Sequence, residues 1–276
     1  MSKESTTDFL KNTWIEDKKA MKDDNYMYDT LEEAANHYVL LGHLFRMFSE
    51  DIFKNCRDYE LKTDMCLTRV VNEASCNVER IIPKKEFCSA NRMNPKGKFY
   101  GYYAINYGGK NRDDRIKTAV KEIRAENADE VSSCEFSASK KLKLAKFAPD
   151  IGIRLTLEEE ELREDLNKIK QYYGIHGGTK GKMEIAQIYT FNIMLQTMVN
   201  GDFFCPVEGS DTEKDFHYAP FRLIADYLSR NGYDGILYQS SVDPKGYCVA
   251  IFQPNYVKAI ETSILCNIQV SHILND

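Results

Sequence analysis

Six polar residues fall where buried elements give way to turns or helix faces. Arg69 lies in LTRV, and Arg92 and Asn94 border the turn of NRMNPKGKFYGYYA, residues 91–104. Tyr102 follows ten residues after Arg92, Glu122 sits among apolar neighbours in RIKTAVKEIRA, and Ser240 closes GILYQSS. A guanidinium binds a pyrophosphate through paired hydrogen bonds, and an aromatic face stacks on a flat ring. A carboxylate binds ribose hydroxyls and steadies an oxocarbenium-like transition state. A serine hydroxyl bonds a phosphate or a ribose. Singly, each residue has a blander reading: a surface ion pair for an arginine, a solvated helix face for Glu122, core packing for Tyr102, a strand end for Ser240. Together, if they converge, they meet the demands of cleaving the nicotinamide–ribose bond of NAD.

The elements that must position them follow from patterning. Residues 1–29 are polar and are expected to be loosely ordered. TLEE at Thr30 reads as a capping box, opening a helix with Leu31, Ala34, Ala35, Tyr38, Leu41, Leu44, Phe45 and Phe48 on one face. His37 and His43 on it read as ordinary histidines. MCLTRVVN predicts a strand, and RIKTAVKEIRA a helix faced by Ile116, Ala119, Val120 and Ile123. Residues 131–147 predict strands with Lys140, Lys141, Lys143 and Lys146 outward. A second TLEE, Thr156 to Glu159, opens a helix faced by Leu162, Leu166 and Ile169 and stopped by Gly174. GGTKGKM, residues 177–183, fails as a phosphate loop, because His176 stands at the first glycine position and Met183 at the magnesium-holding Ser or Thr. A flexible loop is expected there, followed by a largely buried helix. Phe221, Ile224, Ala225 and Leu228 line a further helix capped by Gly232, and GILY, YCVAIF and YVKAIET are strands. Helices and strands interleave without a βαβ repeat, which predicts an α+β fold.

Composition narrows the classes. Apolar residues at 43% supply a core for 276 residues, and the net charge of −5 argues against direct nucleic-acid binding. No apolar run approaches a membrane span, and the N-terminal residues lack the layout of a signal peptide. A cytoplasmic protein is expected. The eight cysteines form no CxxC pair and no zinc-ligand spacing, so no metal site is expected, and scattered reduced thiols are.

The chain resembles the RES-domain family, named for its Arg, Glu and Ser. The likeness is carried by RMNPKG with Arg92, YYA with Tyr102, TAVKE with Glu122, GYDGILYQSS with Ser240 and GYCVAIF ending at Phe252, in that order over residues 65–260. Arg69 in LTRV matches an upstream family arginine on a shorter motif. Asn91 departs from a usual glycine, and NYGGKNRDDR lengthens the link to the Glu122 helix, which leaves Glu126 as the alternative register. The resemblance implies an ADP-ribosyltransferase-like core of mixed β-sheets with flanking helices. Residues 1–63 would form a helical extension and 64–276 the RES domain.

It further implies that NAD is a substrate, with no prosthetic group and with inorganic phosphate as the candidate co-substrate. The activity would be hydrolysis or phosphorolysis of NAD, by an intracellular toxin or antiviral effector. An inhibitory antitoxin or regulatory protein would be its partner, and homo-oligomerisation stays open. By the same resemblance Arg92, Tyr102, Glu122 and Ser240 are catalytic, and Arg69, Asn94, Tyr238 and Ser241 bind substrate. Two rivals stand beside this reading: ADP-ribose transfer to a protein, and a non-catalytic module that binds a nucleotide or a partner.

Overall fold

The computed structural model describes residues 6–24, 27–50, 54–85, 94, 97–109, 111–127, 129–200 and 209–274. Arg92 lies outside them. The fold is α+β. In chain order the elements are α1 (Thr6–Asp23), α2 (Leu31–Ala34), α3 (Val39–Ser49), α4 (Lys54–Arg57), β1 (Asp58–Leu61), β2 (Cys66–Val71), α5 (Val78–Ile81) and β3 (Gly101–Ile105). There follow α6 (Arg112–Glu122), β4 (Glu130–Ala138), β5 (Leu142–Phe147), α7 (Leu162–Tyr172), α8 (Thr179–Asn200), α9 (Asp211–Arg230), β6 (Gly235–Gln239), β7 (Tyr247–Ile251), β8 (Val257–Gln269) and α10 (Val270–Leu274). No helix among the described residues is long and apolar enough to cross a membrane. The chain forms two compact units, one of residues 1–58 with 147–227, the other of 59–146 with 228–276. Both units are discontinuous in sequence, whereas the sequence reading divided the chain once, after residue 63.

The first unit is helical. Its leading segment is not loosely ordered: α1 is an 18-residue helix that buries Trp14, Asp17, Lys18 and Met21. With the buried Thr13 it has helical spacing, but only Trp14 and Met21 of the stripe are apolar, which hid it from a hydrophobic count. Trp14 meets Phe221 edge-on at 6.2 Å between ring centroids. Asp17 explains a second departure, the break in the helix expected from Thr30 through Phe48. Thr30 does cap Glu33, at 3.3 Å, but α2 ends at Ala34. The Asp17 carboxylate then accepts from Val39 N at 3.0 Å and Leu40 N at 2.7 Å, so the N-terminus of α3 is capped from another helix. The apolar period runs unbroken across both pieces, and the cap responsible is remote in sequence.

Asp165, fully buried in α7, redirects the second TLEE. It accepts from Leu157 N at 2.7 Å, Thr156 N at 3.2 Å and the Thr156 hydroxyl at 3.0 Å. Thr156 therefore ties the incoming chain to α7 rather than opening a helix, α7 begins at Leu162, and Leu162 itself is exposed. Gly174, at φ 63°, ends α7 as expected. The expected loop at 177–183 is shorter, since α8 starts at Thr179 and contains Gly181 to Met183. Met183 is exposed; after the buried Gly181 the next buried residue is Ile188, so it is mainly the later part of α8 whose side chains enter the core.

The second unit is built on one eight-stranded sheet, ordered β1-β5-β6-β7-β3-β2-β4-β8. The pairs β2–β3, β2–β4, β3–β7, β4–β8 and β6–β7 run antiparallel. Lys140, Lys141 and Lys143 are exposed as expected, but Lys146 is buried, because the last four positions of β5 are covered on both faces. Cys76 and Cys266 form a disulfide with Cα atoms 5.3 Å apart across 190 residues of sequence. This corrects the reading of all eight cysteines as thiols. The loop after β2 and the far end of β8 meet in space, which no sequence spacing records.

α6 lies over β2 and β3. Asn111 opens it through a capping box with Asp114, so the end of NYGGKNRDDR belongs to the helix and not to a lengthened link. Ile123 is the exposed C-cap residue rather than part of the buried face. Arg115 is buried, donates from Nε to Thr68 Oγ1 at 3.0 Å, and pairs through Nη2 with Glu135. The helix start is thereby fixed to β2 and β4. Replacing Arg115 with Ala leaves Glu135 without its closest cation. Urea unfolding followed by far-UV circular dichroism should show a loss of about 3–5 kcal/mol. A loss under about 1 kcal/mol, the range of an exposed pair, would count against this fixing role.

Candidate functional site

Strand register decides which expected site residues share a face. Arg115 on α6 bonds Thr68, so Thr68 faces α6. Across the sheet Thr68 stands opposite Ala104, Ala104 opposite Cys248, and Cys248 opposite Tyr238. Opposed residues point the same way and residues two apart on a strand do likewise. Tyr102, two before Ala104, therefore shares the α6 face with Tyr238 and Cys248, as a diagonal neighbour of Cys248. Arg69, one residue past Thr68, belongs to the other face together with Tyr103.

Glu122 is the last residue of α6. Its Oε1 is buried with no hydrogen-bond partner among the described residues. The Cys248 thiol stands on the same face, opposite Tyr238, and is close enough to Glu122 to feel its charge. Burial pushes the Cys248 thiol well up, and the Glu122 charge adds to the rise against the opposing Tyr238 bond. Glu126, the alternative register, is exposed beyond the helix end. Tyr102 donates its hydroxyl to Asn94 Oδ1 at 2.7 Å; Asn94 is buried, and its Nδ2 has no partner among the described residues.

Ser240 is buried at the end of β6, and its Oγ accepts from Asp243 N at 3.0 Å and Val242 N at 3.3 Å. The serine thus shapes the β6–β7 turn. Ser241, beside it, is half-buried. Arg69 is engaged with backbone: Nε donates to Ile81 O at 2.9 Å and Nη1 to Tyr102 O at 3.2 Å. It ties α5 and β3 together from the face opposite Glu122. The structure thus brings Tyr102, Asn94, Glu122, Tyr238 and Ser240 to the α6 side of the sheet and directs Arg69 to the other.

Asp243 was missed by sequence reasoning. It is buried, accepts from the Thr118 hydroxyl at 2.7 Å and from Lys121 Nζ at 3.0 Å, and so joins the β6–β7 turn to the end of α6 that carries Glu122. The available signal was SSVD, an acid three residues after a turn-forming serine. Gly246 closes the same turn; a Cβ there would lie 2.3 Å from Thr118 Oγ1 and 2.7 Å from Asp243 Oδ2. Only glycine lets the hairpin approach α6 this closely.

The family model of the RES domain matches residues 194–269. The resemblance read from the sequence is thereby shown for the segment that holds Tyr238, Ser240, Ser241, Asp243 and Cys248. No curated protein matches the chain.

The close approach at Gly246 is testable. Gly246→Ala should destabilise the protein by about 1–3 kcal/mol in urea unfolding. Thr118→Ala removes two of the three atoms that the new methyl would strike, so the double variant should cost less than the sum of the single ones. Strict additivity would mean that the hairpin and α6 do not meet as described.

Proposed function

We propose that this chain consumes NAD by cleaving its nicotinamide–ribose bond, with water or phosphate as acceptor. The observation that carries the reading is the Glu122 carboxylate, which keeps a buried oxygen, without a hydrogen-bond partner among the described residues, on the sheet face that also bears Tyr102 and Tyr238. A carboxylate in that state can take the ribose hydroxyls and offset the positive charge that grows on the ribose as nicotinamide leaves. The match to the RES domain supports the same reading, because it includes the β6–β7 hairpin that meets α6. In this scheme Tyr102, held by Asn94, orients the nicotinamide side. Ser240, whose oxygen already accepts two backbone N–H groups, offers its proton to a phosphate or ribose oxygen.

Arg69 takes a supporting part in the proposal, as its guanidinium bonds the Ile81 and Tyr102 carbonyls. Holding the pyrophosphate or the attacking phosphate is assigned to Arg92. The proposal includes a cytoplasmic toxin or defence effector restrained by an inhibitory protein. A cytosolic setting has a consequence for Cys76 and Cys266, since the glutathione pool there would favour their reduced form.

The test is NAD consumption by the purified chain in buffer with and without phosphate. Loss only with phosphate means phosphorolysis, and loss in both means hydrolysis. Glu122→Gln should lower turnover by about 10²–10³-fold while the circular dichroism spectrum stays unchanged. Full activity in that variant would overturn the role of Glu122. No loss with the unaltered protein in either buffer would overturn cleavage and favour transfer to a protein acceptor or a non-catalytic module.

A further inference from the structure

We propose that Cys76 and Cys266 form a thiol–disulfide exchange site, at which a small thiol of the glutathione type opens a covalent tie and loosens the backbone under Tyr102. The effect on turnover rests on the NAD-cleaving reading above; the opening of the bond and its effect on the chain do not.

The bond lies where a thiol can meet it, since Cys76 is exposed and Cys266 half-buried. The other thiols among the described residues are poorly placed to compete. Cys56, Cys134 and Cys248 are buried, and Cys66 stands at the start of β2, the opposite end from the loop that carries Cys76. Exchange takes two steps. A thiolate attacks the Cys76 sulfur, the S–S bond breaks, and Cys266 leaves as a thiolate that takes a proton from water. A second thiolate then attacks the mixed disulfide, releases Cys76 as a thiolate that is protonated in turn, and departs joined to the first. The protein gains two electrons and two protons, and two small thiols become one disulfide.

The bond holds a short segment that reaches the site. Cys266 and Asn267 stand against the single residue Ser132, in a bulge of the β4–β8 ladder between the pairs Ser133–Leu265 and Val131–Ile268. Asn267 has φ 51° there. The Ser132 hydroxyl reaches the loop that carries Cys76: it donates to Glu73 O at 2.7 Å and accepts from Ser75 N at 2.8 Å. Asn77, the next residue after Cys76, caps α5 by accepting from Glu79 N at 3.0 Å. α5 has four residues, too few to persist without outside support. Its last carbonyl, that of Ile81, receives Arg69, which also bonds the Tyr102 carbonyl. The disulfide, α5, Arg69 and the Tyr102 backbone therefore form one continuous path on the sheet face opposite α6.

A purely structural staple makes a different prediction, because such bonds resist reduction by the glutathione pool. The folded protein is incubated with millimolar reduced glutathione, alkylated, and mapped by mass spectrometry. Cys76 and Cys266 should take the label together while Cys134 and Cys248 stay unlabelled, and oxidised glutathione should restore the bond. A bond that opens only after denaturation overturns the proposal, as does a reduced pair that oxidised glutathione fails to join. Hydrogen exchange then compares the two forms. The amides of residues 77–82 should exchange on the order of tenfold faster after reduction, within the usual contribution of a disulfide, with those of α9 unchanged. Equal exchange at 77–82 overturns the proposal.

NAD turnover should fall on reduction, by up to about 100-fold for a shifted site residue, and return on reoxidation. The double variant Cys76→Ser, Cys266→Ser should match the reduced protein and ignore glutathione. Equal turnover in the two forms, or a double variant that still responds, overturns the link to the site. If the oxidised protein does not consume NAD, the functional reading falls, and alkylation and hydrogen exchange alone decide the exchange site.

Discussion

The carboxylate of Asp243 is the tie on which the site depends. It accepts from Thr118 and Lys121, one turn and one residue before Glu122, and its backbone carbonyl accepts from Gly246 at 2.7 Å. Its own N–H is bonded by Ser240. One side chain and its backbone therefore fix the β6–β7 turn internally and fasten it to the end of α6. That tie joins the hairpin carrying Tyr238 and Cys248 to the helix that carries Glu122. The start of α6 is held separately, by Arg115 against Thr68 and Glu135. With both ends tied, the helix is held in place along the sheet.

These ties explain why some features were legible in the sequence and others were not. The strands GILYQ and YCVAI and the helix faces at Phe221 to Leu228 and Ile116 to Val120 are continuous apolar patterns, and local periodicity reports them directly. The break after Ala34, in what was expected to be one helix through Phe48, was invisible because its cause, Asp17, lies 22 residues upstream of Val39. Asp165 redirects Thr156 in a similar way, from nine residues downstream. In each case a short polar side chain satisfies backbone or hydroxyl groups across a tertiary contact, and such contacts leave no local period. α1 was missed for a related reason, since Thr13, Asp17 and Lys18 in its buried stripe are polar or charged.

The candidate site divides along the same line. Tyr102, Glu122, Tyr238 and Ser240 sit in or beside regular elements, and the parity of the strands brings them to one face. Arg69 is one residue out of step with Thr68, and in a strand one residue is the difference between the two faces of a sheet. A motif of four residues, LTRV, carries no information about that parity relative to a strand more than thirty positions away. Asp243 lay outside any apolar pattern, so only its turn chemistry pointed to it.

Arg69 also connects the site to a distant covalent feature. Its Nε bonds the carbonyl of Ile81, the last residue of α5, whose N-cap Asn77 follows Cys76 directly. The Cys76–Cys266 bond fixes the start of that segment to β8, and Arg69 fixes its end to β3 through the Tyr102 carbonyl. The backbone under Tyr102 is therefore anchored from the face opposite its side chain, while Asn94 holds the hydroxyl on the α6 face. Tyr102 is restrained at both ends, by Arg69 at its backbone and by Asn94 at its hydroxyl. The Glu122 Oε1 on the same face has no hydrogen-bond partner among the described residues.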